Sequence, residues 1–280
     1  MNEEKRAAAQ PATDGSVEKL SLPRNIHMVP LNYISGFAVR PGLYDIYGAT
    51  AIPGGVNFTV YSYGATSIEL LLFHREAHEP FAVLPFPQHY RIGNVYSMIV
   101  FKLNIEEFEY AYRVDGPYEP EKGKLFDKTK YLLDPYARAV TGQSRWGDTT
   151  PRGQHYKARV VKDDFDWGDS RLPLIPMEDL VIYELHVRGF TKDGSAGVQS
   201  PGTFAGLMEK LPYLKSLGVN AIELMPIFEF DEMQDYREVD GQKLYNYWGY
   251  NTVCFFAPNT SYTASTEYNR EGNELKNLIR

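Results

Sequence analysis

From Gly48 onward the chain alternates. Pro53, Gly54 and Gly55 mark a turn, and beyond it Val56, Phe58 and Val60 interleave with Asn57, Thr59 and Tyr61, the two-residue period of a strand with one apolar face. Ile68, Leu70 and Leu72 repeat the pattern, Val95 to Leu103 is rich in strand formers, and Phe108, Tyr110, Tyr112 and Val114 alternate with Glu109, Ala111, Arg113 and Asp115. Asp115, Gly116 and Pro117 close that strand in a turn. Short strands divided by Gly and Pro, with no helical period between them, predict an immunoglobulin-like β-sandwich over residues 36–141. Residues 1–35 show no period and read as a mobile arm.

Residues 142–177, interrupted by Gly147, Pro151, Gly153, Gly168, Pro173 and Pro176, read as a connector. The period then changes. Leu180 to Leu185 is a short strand, and Phe204, Leu207, Leu211, Leu214 and Leu217 form a helical stripe that Thr203 can cap and Gly218 can close. Pro212 predicts a kink or restart inside it. Val219 to Ile227 is a second strand, Phe228 to Tyr245 a long polar excursion, and Gly272 to Arg280 turns helical. Strand, helix, strand, excursion, helix is how a parallel α/β unit begins, so residues 178–280 read as two βα units of an incomplete α/β (TIM) barrel.

Composition narrows the function. The formal net charge of −7 comes with no basic block, which argues against nucleic acid. No apolar run approaches the roughly 18 residues of a membrane helix, and the charged, alanine-rich Met1 to Gln10 lacks the pattern of a signal peptide. The single cysteine, Cys254, flanked by Phe255 and Phe256, reads as a buried thiol in a reducing compartment. The expectation is a cytoplasmic protein. Among the aromatics Tyr leads with 21 residues; Tyr fills sheets well, and it also suits sugar rings with apolar faces and hydroxyl rims.

Several constellations carry little. His74 and His78 have the spacing of metal ligands on a helix, yet Pro80 follows, Arg75 stands beside them and no third ligand is apparent. Glu76 and Glu79 share that loop. Asp163, Asp164, Asp166 and Asp169 cluster without the spacing of a calcium loop. Glu184 and Glu223 alternate with apolar strand neighbours and read as strand residues. Neither a metal nor a cofactor is expected.

Five motifs and a linker segment resemble glycoside hydrolase family 13 enzymes of the isoamylase and glycogen-debranching type. Val181-Ile182-Tyr183-Glu184-Leu185-His186-Val187-Arg188-Gly189-Phe190-Thr191 looks like the first barrel strand, and Pro201 to Leu207 leading into Leu211 to Ile227 looks like the first helix and second strand. Asn246-Tyr247-Trp248-Gly249-Tyr250-Asn251 is similar to the aromatic motif that follows. Upstream, Tyr112 to Tyr118 and Leu133 to Ala139 resemble a carbohydrate-binding module of family 48, and Phe165-Asp166-Trp167-Gly168 the family's linker.

The resemblance implies hydrolysis of α-1,6 branch links in glycogen, starch or limit dextrin. The implied mechanism is retaining, with a nucleophilic carboxylate and an acid-base carboxyl about 5 Å apart. In the family these groups follow later barrel strands, so no catalytic residue is expected here, and the chain reads as an inactive front portion. Position in the motif makes Tyr250 the platform beneath the cleaved sugar, with Trp248 and Asn251 beside it. His186 and Arg188 reach the barrel mouth, His186 more as a support than as a ligand. A non-catalytic glucan binder and a sister activity (branching, or maltooligosyltrehalose trehalohydrolysis) are the competing readings. Against the first of these, Ile182, Leu207, Leu211, Leu214, Leu224 and Ile227 make an apolar surface that two units do not cover.

Overall fold

A computed structural model of the chain describes residues 28–141, 146–147, 156–234 and 236–280. The predicted alternation becomes two facing antiparallel sheets. One contains β1 (Asn32–Ile34), β2 (Phe37–Pro41), β3 (Gly48–Ile52), β4 (Gly55–Tyr61), β7 (Arg91–Ile92) and β8 (Val95–Phe101), in the order β1-β2-β8-β4-β3 with β7 also on β8. The other is β6 (Ala82–Pro85), β5 (Ser67–His74) and β9 (Phe108–Asp115), in the order β6-β5-β9. Val56, Phe58, Val60, Ile68, Leu70, Leu72, Tyr110 and Tyr112 meet between them as the main core. A small hairpin, β10 (Tyr118–Glu119) with β11 (Lys124–Leu125), follows.

Strand β4 is buried on both faces. Its polar side is roofed by the turn around Leu43 to Ile46. Asn57 Oδ1 accepts from Leu43 N at 2.7 Å, and Thr59 Oγ1 lies 2.6 Å from Ser97 Oγ. Alternation of polar and apolar residues therefore marked two interiors of different chemistry rather than a wet face and a dry one.

The sandwich is larger than residues 36–141. Chain pairing begins at Asn32, inside the arm expected to run to residue 35; β1 is a short edge strand whose Asn32 and Tyr33 stay exposed, which hid it from periodicity. The arm up to residue 27 lies outside the described residues. At the other end Ala158 bridges both Tyr110 and Val140, and Ala158 and Val160 join the sandwich core. Part of the expected 142–177 connector is thus module; residues 142–145 and 148–155 lie outside the described residues.

The second half opens with a parallel pair, β12 (Ile182–Leu185) and β13 (Ala221–Leu224), in register from Ile182 opposite Ala221 to Leu185 opposite Leu224. Between them run α1 (Val187–Thr191), α2 (Phe204–Glu209) and α3 (Leu211–Ser216). Thr203 caps α2 by accepting from Gly206 N, Pro212 sits in the first turn of α3, and Gly218 closes the element at φ +84°. Leu207 and Leu214 are fully covered here, whereas Ile182 remains 56% exposed. The final α4 (Asn273–Ile279) is tied to α2 by Glu274, whose carboxylate accepts from Ala205 N at 2.9 Å.

The excursion from Phe228 to Tyr245 carries strands among its described residues and is partly interior. Its first residues are β14 (Phe228–Phe230), paired with β17 (Thr252–Pro258); β15 (Arg237–Val239) and β16 (Gln242–Leu244) form an exposed hairpin. Cys254 and Ala257 of β17 enter the sandwich core, so the two halves share an interior.

Candidate functional site: an aromatic floor at the strand mouth

The loop between β16 and β17 places Trp248 and Tyr250 side by side, with centroids 6.4 Å apart and rings at 73°. They are 63% and 67% exposed. The residue between them is the reason. Gly249 has φ +79° and rests on Phe230, where a Cβ would stand 2.6 Å from the ring. Only glycine fits this approach, and the buried, unbranched point lets both neighbours splay outward. Asn246, Tyr247, Trp248, Tyr250 and Asn251 line an open hollow of about 570 Å³.

Beneath this floor lies His186, 8% exposed, between β12 and α1. Its ring stacks on Tyr247, centroids 4.2 Å apart at 11°. Nδ1 accepts from Gly189 N at 3.0 Å, which assigns the hydrogen to Nε2, donated to Tyr247 O at 2.7 Å. Burial, and then the charge of Arg188, hold the imidazole below its ordinary pKa against the opposing Tyr247 carbonyl; it is a neutral support. Arg188 lies over Trp146, 4.5 Å from the ring centroid, and burial lowers its pKa. Trp146, Phe230, Tyr247 and Tyr262 complete the aromatic cluster.

The sequence placed Trp248, Tyr250 and Asn251 here and missed three buried polar residues behind them. Glu229 Oε2 accepts from Thr260 N at 3.0 Å; burial pushes its carboxyl up to about 8. Glu232 and Asn259 are fully buried, and Ser261 Oγ stands 2.7 Å from Glu232 Oε1 and 2.5 Å from Asn259 Oδ1. Acidic residues in a polar stretch look solvated in a sequence; only the β14–β17 pairing encloses these.

The remaining candidates do not converge. His74 ends β5 and stacks on Phe81 at 4.3 Å, while His78 lies in the following loop. Asp164 pairs with Arg270, and Asp166 accepts from Gly168 N within its own turn. Glu184 and Glu223 are register partners, both exposed. The Cys254 thiol is buried, donates to Ala137 O at 3.1 Å, and has its pKa raised by burial, although Phe255 and Phe256 beside it are exposed.

Family models match both halves of the chain. Residues 46–137 match the family model described as carbohydrate-binding module 48 (isoamylase N-terminal domain), and residues 146–256 match the alpha amylase catalytic domain. The chain joins a carbohydrate-binding module 48 to the first part of an alpha-amylase catalytic domain. Isoamylase 1, chloroplastic, of Oryza sativa subsp. japonica is 40% identical over 269 residues, 90% of this chain and 33% of that protein. A glycogen operon protein GlgX homolog of Mycobacterium tuberculosis is 33% identical over 264 residues, 86% of this chain and 35% of that protein. The fold matches a pullulanase type I from Bacillus subtilis str. 168, crystallised with maltose, at a TM-score of 0.62 and 24% identity, covering 85% of this chain and 32% of the other. The chain thus spans about a third of the length of the curated relatives it matches. Trp248 and Tyr250 fall within the stretch that matches the catalytic-domain model.

Proposed function

We propose that this chain is the front portion of an α-glucan debranching hydrolase, which cleaves α-1,6 links of glycogen, starch or limit dextrin with retention of configuration. The observation that carries the reading is the outward pair Trp248 and Tyr250 around Gly249, at the end of a parallel strand pair whose relatives include isoamylases. A glucose ring has an apolar C–H face and a polar rim. Tyr250 offers the face a platform, Asn251 and Asn246 offer the rim amides, and Gly249 on Phe230 keeps the platform from turning inward. His186 holds the Tyr247 backbone from below.

These residues bind and orient. The chain contributes two parallel strands, and no carboxylate within it is assigned as nucleophile or acid-base group. A retaining mechanism needs such a pair about 5 Å apart, which in the complete enzyme we place on later barrel strands. The cytoplasm is the compartment we propose, on the single buried thiol of Cys254.

Product analysis tests the reading. Linear maltooligosaccharides released from a branched glucan by the complete protein are the expected result. New branches with unchanged reducing ends, or release of trehalose, would replace it by a sister activity. Glycogen hydrolysis by these 280 residues alone would overturn the placement of the carboxylates, and glucan binding without turnover by the complete protein would leave a non-catalytic binder.

A further inference from the structure

The turn behind the aromatic floor holds one hydrogen too few if Glu232 is ionised. Ser261 Oγ lies 2.7 Å from Glu232 Oε1 and 2.5 Å from Asn259 Oδ1. The Asn259 amide is oriented, because Oδ1 also accepts from Ser261 N at 2.9 Å; the reverse orientation would set an NH₂ against an N–H. Both of the hydroxyl's neighbours are therefore acceptors when the carboxyl is charged, and a serine has one hydrogen to give. Glu232 Oε2 and Asn259 Nδ2 are both buried with no hydrogen-bond partner, so the count that decides the turn is that of the Ser261 hydroxyl, which has one hydrogen for two acceptors.

We propose that Glu232 is a neutral carboxylic acid and a positioning residue for the sugar floor: Oε1–H donates to Ser261 Oγ, which donates onward to Asn259 Oδ1. The inference rests on the glucan-binding reading of that floor. The connection to it is short. The main-chain oxygen of Glu232 accepts from Asn246 N at 2.9 Å, and Phe230, two residues before, is the seat of Gly249. Ionisation leaves the Ser261 to Asn259 or the Ser261 to Glu232 contact without a hydrogen and places a buried anion under the loop.

The surrounding charges favour the neutral form. Burial raises the Glu232 pKa and outweighs the Ser261 hydroxyl, the residue's own backbone N–H and the Asn259 amide, which ease the charged form; Asp231 raises it further. Glu229 on β14 and Tyr262 on the adjoining turn would each face added negative charge. Arg188 of α1 is the positive group within reach, and it is held over Trp146.

Glu232→Gln is the informative variant, since its NH₂ can donate to Ser261 as the acid does and cannot ionise. Infrared difference spectra between the unsubstituted protein and Glu232→Gln at neutral pH should show loss of one protonated-carboxyl band. Maltoheptaose affinity should fall in the unsubstituted protein by roughly tenfold per pH unit above the carboxyl's pKa, as for a site competent in one protonation state, and this fall should be absent in Glu232→Gln. No missing band, or identical pH profiles, overturns the proposal. If no glucan binds at any pH, the glucan reading fails while the band still decides the protonation. If Glu232→Gln does not fold, the same band sought in Glu229→Gln/Asp134→Asn protein decides it.

Discussion

Asn269 donates its side-chain amide to the backbone oxygen of Val160 at 2.6 Å, across more than a hundred residues of chain. The same amide donates to Ile105 O at 2.9 Å, and Asn269 holds φ +66°. Around it Tyr268 donates to Phe108 O and lies under both Arg75 and Arg159, while Glu271 pairs with Arg159. This loop, between β17 and α4, is bonded directly to the module. Asn269→Ala removes two bonds to main-chain oxygens and puts a Cβ-bearing, non-bonding residue in left-handed backbone, so a loss of about 2 to 3 kcal/mol is expected. Asn269→Gly keeps the backbone and should lose less. Denaturant unfolding monitored by two probes checks both, and separation of the transitions in Asn269→Ala would show the loop also enforces cooperativity.

Gly249→Ala should disturb the floor without touching a sugar. The new methyl meets Phe230 and the φ of +79° disfavours any side chain, together about 1 to 3 kcal/mol. Weaker glucan binding with an altered tryptophan fluorescence is expected. Wild-type affinity would detach the floor's geometry from binding.

Tyr250→Ala in the complete enzyme should slow turnover far more than it weakens binding of the remote sugar chain, because stacking at the cleaved ring counts most in the transition state. Steady-state kinetics on a branched dextrin measure the split. Unchanged kcat would assign Tyr250 to the surface.

Buried acids give stability a slope in pH. Glu229, raised to about 8 from 4.5, contributes fully below the unfolded pKa, and that contribution is lost as pH climbs through 8. Asp134, raised to about 6 by burial despite its bonds from Tyr110 Oη and Tyr136 N, adds a slope between 3.8 and 6. Each acid supplies up to about 1.4 kcal/mol per pH unit within its window. Urea unfolding of Glu229→Gln should be flatter between pH 6 and about 8 than that of the unsubstituted protein.

Lys157 and Glu109 form an ion pair at 2.8 Å with side chains 9% and 3% exposed, and Lys157 also donates to Ala77 O. Lys157→Met strands a buried carboxylate and should cost about 3 to 5 kcal/mol, most of it returning in Lys157→Met/Glu109→Leu. Thermal melts of the single and double variants decide it; a double variant as unstable as the single one contradicts this account.

What the sequence made legible was local. Val56 to Tyr61 and Phe108 to Asp115 carry their strand identity in alternation, and Thr203, Pro212 and Gly218 announce the two-part helix by their own chemistry. The floor was legible through a motif, Trp248 to Asn251, rather than through any period. Hidden were the contacts closed over long separations: Ala158 returning to Tyr110, Cys254 entering the module, Asn269 reaching Val160. Glu232 looks like any surface acid until Ser261 and Asn259 are folded against it.

The parallel pair β12–β13 has consequences for handling the chain in solution. Val181, Ile182 and Tyr183 remain exposed beside strand edges that pair with no further strand among the described residues. Such an edge is a template for another copy, and flat apolar edges are where soluble proteins become adhesive. The 280-residue chain should accordingly self-associate as its concentration rises, and a charged substitution such as Ile182→Lys should raise its solubility while leaving the module's spectrum unchanged.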